Sequence, residues 1–311
     1  MARARIGMAK WGDSFLVKIL DGRTLAKEIR AEVAVGVAEL LQKHQVNPGL
    51  AAVLVGDDPA SAIYVRNKRR ACDEVGMFSE TFTLPYMATQ AALIDKLQEL
   101  NADHRFHGIL VQLPLPTHFD EYAVIETLLP QKDVDGLHPY NVGKLTQGRP
   151  DYIPGTPAGI QQLLVRNGYD PEGKNVVICG RSNIVGKPLA NLLMNRRPWS
   201  NATVTVCHTR TKNLSEITSQ ADILVAAMGQ PLGITADMVK EGAVVVDVGI
   251  NRVVDTDRKQ GYRLVGDVDF EAVSEKVEAI TPVPGGVGPM TIAMLLVNAL
   301  TAARLTMENE E

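Results

Sequence analysis

The chain has 311 residues, 45% of them hydrophobic and 22% charged, with a formal net charge of −4. That is enough chain for two domains with a large core, in the composition range of a soluble globular protein. The slight acidity gives no electrostatic footing for nucleic acid or a membrane surface as main partner, and no run approaches the roughly 18 consecutive apolar residues of a membrane span. Cys72, Cys179 and Cys207 are an odd number without C-x-x-C spacing. They read as small buried residues in a reducing compartment. The first twenty residues carry Arg3, Arg5 and Lys10 but lack the apolar core of a signal peptide. They read as a short extension rather than a transit segment, which places the protein in the cytoplasm.

From Asp21 to Gln45, Leu25, Ile29, Val33, Val37, Leu40 and Leu41 recur at helical spacing, and Pro48-Gly49 ends the pattern. Leu50 to Val55 is a short buried strand. Asp58-Pro59 supplies an N-cap acid with proline at the first helical position, opening a helix that runs to Val75. A strand around Phe78–Leu84, a helix from Thr89 to Leu100 and a strand from Gly108 to Gln112 follow, the last stopped by Pro114 and Pro116. Gln131–Thr156 is rich in Gly and Pro and reads as loop. The alternation then restarts: strand Asn175–Cys179, helix Val185–Arg196, and strands Thr203–Cys207, Ile223–Ala226 and Val244–Val248. A helix signal at Thr235-Ala236-Asp237 lies between the last two, and an apolar helix Met290–Leu305 closes the chain. Alternating β and α elements predict an α/β protein with two parallel-rich units and a cleft between them.

The segment CGRSNIVGKPLA, Cys179 to Ala190, joins a strand to a helix. It is not a P-loop, because Pro188 stands where a magnesium-binding hydroxyl is needed. It is not a full G-x-G-x-x-G fingerprint either, because Ser182 takes the middle glycine position. Its place at the first turn of a β-α-β unit still suits a dinucleotide pyrophosphate, held by backbone N–H groups and a helix N-terminus. An ordinary glycine-containing turn would have the same outline. The second strand of the unit ends in His208-Thr209-Arg210-Thr211-Lys212 with no carboxylate for a ribose 2′-hydroxyl. That favours NADP over NAD, with Arg181 as a second cation, although a solvated basic surface would look alike.

In the first half, Tyr64 and Lys68 stand four apart on one helix face, inside a basic run that could be plain surface. Gln112 ends a parallel strand, where open α/β sheets bind ligands. Asp133 and Asp135 sit in a turn-rich loop with no third ligand at metal spacing, so no metal site is expected. Pro282–Thr291, PVPGGVGPMT, is a rigid loop whose glycines allow a ligand close approach to main-chain N–H groups.

SAIYVRNK, QLPLP, KDVDGLHPYNVGKL, GRSNIVGKP, VDVGIN and TPVPGGVGPMT together resemble the bifunctional methylenetetrahydrofolate dehydrogenase/methenyltetrahydrofolate cyclohydrolase family, over roughly Asp21 to Leu305. The resemblance implies a folate-binding catalytic domain over residues 21–150 and a Rossmann NADP-binding domain over 151–288. It further implies that residues 289–311 form a helix returning to the first domain, and that the chain forms a homodimer. Carried over by position, it makes Tyr64 the stacking partner of the folate, Lys68 the catalytic lysine, Gln112 its positioning partner and Asp135 the pterin holder. Pro284, Gly285 and Gly286 close over the substrate. Cofactor contacts fall at Gly180, Arg181, Ser182, Ile184, Gly186, Thr209, Arg210 and Ile250.

The expected reaction is NADP-linked oxidation of 5,10-methylenetetrahydrofolate, followed by hydrolysis of the methenyl product to 10-formyltetrahydrofolate. Tetrahydrofolate derivatives are the partners, with Arg66, Arg69 and Arg70 as contacts for a polyglutamate tail. A monofunctional dehydrogenase of the same fold is the nearest rival. A shikimate- or amino-acid-dehydrogenase-like oxidoreductase and a dinucleotide-binding sensor stand further off.

Overall fold

In the computed structural model, which describes residues 17–258 and 261–308, strand and helix alternate twice over. After the short strand β1 (Lys18–Ile19) come α1 (Gly22–His44), β2 (Gly49–Val55), α2 (Pro59–Val75), β3 (Phe78–Leu84), α3 (Gln90–Ala102), β4 (Gly108–Val111) and α4 (Glu121–Thr127). Two more helices, α5 (Pro139–Thr146) and α6 (Gly155–Arg166), lead into the second unit. That unit contains β5 (Asn175–Cys179), α7 (Gly186–Met194), β6 (Thr203–Cys207), α8 (Leu214–Thr218), β7 (Ile223–Ala226) and β8 (Val244–Asp247). A hairpin of β9 (Asn251–Val254) and β10 (Tyr262–Val265), then α9 (Phe270–Ser274), β11 (Ala279–Ile280) and α10 (Val287–Glu308), complete the chain.

β2 is the centre of a three-stranded parallel sheet, with β3 and β4 on either side. The second sheet is parallel, in the order β1-β11-β8-β7-β5-β6. Its strands are covered on both faces, as parallel strands require. Val176 and Ile178 of β5 enter one hydrophobic cluster while Val177 and Cys179 enter another. In β2, Leu50, Ala52 and Leu54 face the first of these clusters, and Ala51, Val53 and Val55 face a third under α3 and α4. The first cluster is thus shared by both sheets. Leu25, Ile29 and Val33 of α1, Ile160 and Leu164 of α6, and Met290, Leu296 and Ala303 of α10 fill it.

Several elements differ from the sequence expectation. The loop-like passage 131–156 contains α5, which starts at Pro139 with the His138 ring accepting from the Tyr140 N–H. Its eight residues are too short for a periodicity signal. α7 stops at Met194, and the helix signal at Thr235–Asp237 becomes a single 3-10 turn, Ala236–Met238. β1 joins the second sheet through β11, so Leu20, fully buried, already belongs to the packed fold. The rest of the N-terminal extension, residues 1–16, and most of the acidic tail (309–311) lie outside the described residues. α10 is long and apolar enough by length and composition to cross a membrane, although no uninterrupted apolar run marks it. Its apolarity has another cause: it is a core helix packed between α1 and α6.

Candidate active site

α2 carries one wall of the site. Asp58 caps it by accepting from the Ser61 N–H at 2.7 Å, Pro59 presets its first turn, and Gly76, left-handed at φ 79°, ends it. Tyr64, Lys68 and Cys72 therefore form a row one turn apart. The Lys68 ammonium donates to Gln112 Oε1 at 3.1 Å, and Gln112 Nε2 donates to the Leu113 carbonyl at 2.7 Å, so the amide is held at both ends. Gln112 itself extends the β4 ladder, its N–H bonding to Val53 O at 2.9 Å. Burial pulls the Lys68 pKa down, opposed by the Asp135 carboxylate. Burial pushes the Cys72 thiol up to about 12, so it stays neutral beside the lysine.

The two carboxylates of the Asp133-Val134-Asp135 turn have separate fates. Asp133 is buried, accepting from the His138 N–H and from Asn141 Nδ2, both at 2.8 Å, and so folds the loop on itself. Asp135 lies within electrostatic reach of Lys68; burial pushes its carboxyl up to about 6, with Lys68 pulling it back and Asp133 adding to the rise. Between them, Val134 is fixed from α10: Asn298 Nδ2 donates to Val134 O and to Ile153 O, each at 2.8 Å. Tertiary structure thus brings Lys68, Gln112 and Asp135 together.

Tyr64 faces an interdomain cleft of about 830 Å³, whose far wall is Val248–Ile250 and the loop Pro282–Pro289. That loop packs tightly on α1: a Cβ at Gly22 would lie 1.7 Å from Gly286 O, and Gly285 adopts φ 122° beside the Arg23 guanidinium. Arg23 and Arg30 of α1, Arg70 and Glu74 of α2, and Arg252 and Tyr262 of the β9–β10 hairpin line the outer part of the cleft. Of the three arginines expected to meet an anionic tail, Arg70 lines it, while Arg66 and Arg69 do not.

The second sheet reverses its winding at β5, with β6 on one side and β7 on the other. Ligands of open α/β sheets bind in the crevice at such a switch point, beyond the strand carboxyl ends. One lip is the turn Gly180–Gly186; the other is Ala227–Gly229. The lips touch so closely that a Cβ at Gly180 would lie 2.1 Å from Ala227 O, and the first lip folds so tightly on itself that a Cβ at Gly186 would lie 2.1 Å from Gly180 O. Ser182 turns its hydroxyl inward, accepting from the N–H groups of Val185 (3.1 Å) and Gly186 (3.5 Å), which explains how serine replaces the usual middle glycine. Arg181, Ile184, Thr209 and Arg210 are exposed at the mouth. Among the described residues neither Arg181 nor Arg210 is in an ion pair. Two uncommitted guanidiniums beside a glycine cradle fit a dinucleotide that carries an extra phosphate. Ile250 stands apart from this mouth, on the interdomain cleft. No group of three or more His, Cys, Asp or Glu among the described residues could hold a metal ion.

Sequence reasoning missed Asn298, Asp267 and the arginines of α1 and the hairpin. Their partners are distant in sequence, and no local spacing marks them.

Residues 20–135 match the family described as tetrahydrofolate dehydrogenase/cyclohydrolase, catalytic domain, and residues 154–307 match its NAD(P)-binding domain. A bifunctional protein FolD from Salinibacter ruber is 58% identical, over 92% of this chain and 96% of its own length. The bifunctional FolD structure from Campylobacter jejuni superposes with a TM-score of 0.87 at 47% identity, covering 93% of this chain and 99% of that one. The Trypanosoma brucei FolD, a methylenetetrahydrofolate dehydrogenase-cyclohydrolase solved with NADP cofactor and an inhibitor, gives 0.88 at 40% identity, covering 94% and 98%. The chain is a member of the tetrahydrofolate dehydrogenase/cyclohydrolase family.

Proposed function

We infer that this protein oxidises 5,10-methylenetetrahydrofolate with NADP and hydrolyses the methenyl product to 10-formyltetrahydrofolate. The single observation that carries the hydrolytic half is the Lys68–Gln112–Asp135 group: an amine with a lowered pKa, oriented by an amide and within electrostatic reach of a carboxylate, one turn along α2 from Tyr64, which lines the cleft. NADP, when bound, supplies the hydride acceptor. Removing hydride from the methylene carbon leaves a cation already shared by two flanking nitrogens, so that step needs no general base. The protein's contribution there is orientation: Tyr64 stacks the folate, Asp135 accepts from the donor-rich pterin, and the Pro284–Gly286 loop closes the far side. Arg181 and Arg210 take the 2′-phosphate, with Gly180, Ser182, Ile184, Gly186, Thr209 and Ile250 around the rest of the cofactor.

Hydrolysis needs proton handling, and Lys68 is the group placed for it. A cationic methenyl substrate beside a desolvated amine lowers its pKa further and favours the neutral form. Neutral Lys68 takes a proton from the attacking water and returns it to the nitrogen that leaves, while Gln112 holds the amine in line. The arginines of the outer cleft support a polyglutamylated tail. The exposed edge of β6 supports a homodimer, and the buried free thiols of Cys72, Cys179 and Cys207 support a reducing, cytoplasmic setting. Residues 21–150, 151–288 and 289–311 are the folate domain, the NADP domain and the returning helix of this reading.

One assay tests the function. Methylenetetrahydrofolate and NADP are supplied, and reduced cofactor and methenyltetrahydrofolate are followed at separate wavelengths. Reduced cofactor without lasting methenyl is the expected result; accumulating methenyl would remove the hydrolytic half, and turnover with NAD alone would overturn the roles of Arg181 and Arg210.

A further inference from the structure

Behind the cofactor crevice lie two buried aspartates that neither chemical step uses. Asp267 follows β10 and is fully buried. Its Oδ2 accepts from the N–H groups of Met228 (2.6 Å) and Gly229 (2.9 Å), the crevice lip after β7, and its Oδ1 accepts from Asn251 Nδ2 at 2.9 Å. Asp247, at the end of β8, accepts from the N–H groups of Gly249 (2.9 Å), Asp267 (2.9 Å) and Val268 (3.0 Å). The two carboxylates exclude any side chain between them. A Cβ at Gly249 would lie 2.3 Å from Asp267 Oδ1, and one at Gly266 would lie 1.7 Å from Asp247 Oδ2.

The hairpin explains how residues so far apart meet. β9 and β10 pair Asn251 with Val265 at their open end, which delivers Asn251 and Asp267 side by side. The same hairpin puts Arg252, Tyr262 and Leu264 on the folate cleft. Asp267 therefore ties the β7 lip of the cofactor crevice to a hairpin that walls the substrate. No hydrogen bond or ion pair among the described residues joins it to Lys68, Gln112 or Asp135.

We propose that Asp267 is a positioning residue for cofactor binding and the dehydrogenase step, fixing the Met228–Gly229 lip while leaving hydrolysis untouched. A carboxylate suits this task because it accepts several backbone N–H bonds at once, and charge-assisted bonds of this kind hold a loop more tightly than neutral ones.

The inference rests on the two-activity reading above, and one of its arms is independent of turnover. NADP affinity is measured by calorimetry for the unmodified protein, Asp267→Ala and Asp267→Asn, and methenyltetrahydrofolate hydrolysis is measured without cofactor. Asp267→Ala is expected to bind NADP at least tenfold more weakly, with hydrolysis within about threefold of the unmodified rate. Asp267→Asn, which keeps an acceptor oxygen for the lip, is expected to recover most of the affinity. Unchanged NADP affinity in Asp267→Ala, or affinity and hydrolysis falling by the same factor, overturns the proposal. If Asp267→Ala does not fold, Asn251→Ala replaces it, with a severalfold loss of affinity and retained hydrolysis expected; no loss, or a parallel one, again overturns it. Were the unmodified protein to bind NADP yet turn over no folate, the functional reading would fail while the affinity comparison still decided this one.

Discussion

Lys68→Met is the sharpest perturbation of the site. Methionine keeps much of the unbranched stem, so the α2 row of Tyr64, Lys68 and Cys72 retains its packing, and only the amine is lost. The change removes the 3.1 Å bond to Gln112 Oε1 and the cation opposite Asp135. General acid–base catalysis by one positioned group accounts for roughly 10²- to 10⁴-fold, or about 2.7–5.5 kcal/mol of barrier. Hydrolysis should fall by that factor. Hydride removal uses no base, so the dehydrogenase rate should fall by less than about tenfold, through the freed Gln112 amide and an Asp135 carboxyl whose pKa climbs above about 6 once Lys68 is gone. The assay follows decay of methenyltetrahydrofolate without cofactor, corrected for its decay in buffer, beside reduction of NADP. Hydrolysis within about threefold of the unmodified protein, or both activities lost in parallel, would refute the role given to Lys68.

Asp135→Asn should separate stability from function. The carboxyl rises from 3.8 to about 6, so between those values the folded chain holds a proton that the unfolded chain has released, and stability falls as pH rises through the window. At pH 7.5 the whole penalty is present. Discounted because the Asp135 side chain keeps some contact with solvent, its removal should add about 1–2 kcal/mol in denaturant unfolding at that pH, with the gain fading below about pH 4. The folate KM should rise about tenfold or more, and lower stability at pH 7.5 would contradict the desolvation argument. Arg181→Gln and Arg210→Gln should each raise the KM for NADP about five- to tenfold with little change for NAD, read from initial rates with both cofactors. Arg70→Gln and Arg252→Gln should raise the KM for a pentaglutamate substrate about threefold more than for the monoglutamate, with a weaker salt dependence. Arg66→Gln, outside the cleft, is the comparison.

Much of the fold was legible because the chemistry is local. β3, β5, β6, β7 and α2 have the bounds that alternation, Asp58-Pro59 and the glycine stops predict. The row of Tyr64 and Lys68 follows from helical spacing alone, and the glycine turn after β5 could be placed from its neighbours. Short elements such as α5 and β1 lack the length for a pattern.

What sequence alone could not decide were the questions answered by distant partners. Asp133 and Asp135 are indistinguishable as letters; Asn141, eight residues on, and Asn298, 164 residues from Val134, settle which one faces inward and which faces Lys68. Arg66, Arg69 and Arg70 read alike until the folded cleft takes in Arg70 and leaves the other two outside its lining. Asp267 has no motif of its own, because its partners are backbone N–H groups 38 and 39 residues away, and any residue type can supply those. Periodicity and caps act through neighbours along the chain, so the sequence dictates them directly. Desolvation and charge contacts act through space, and only the packed core shared by both sheets sets those distances.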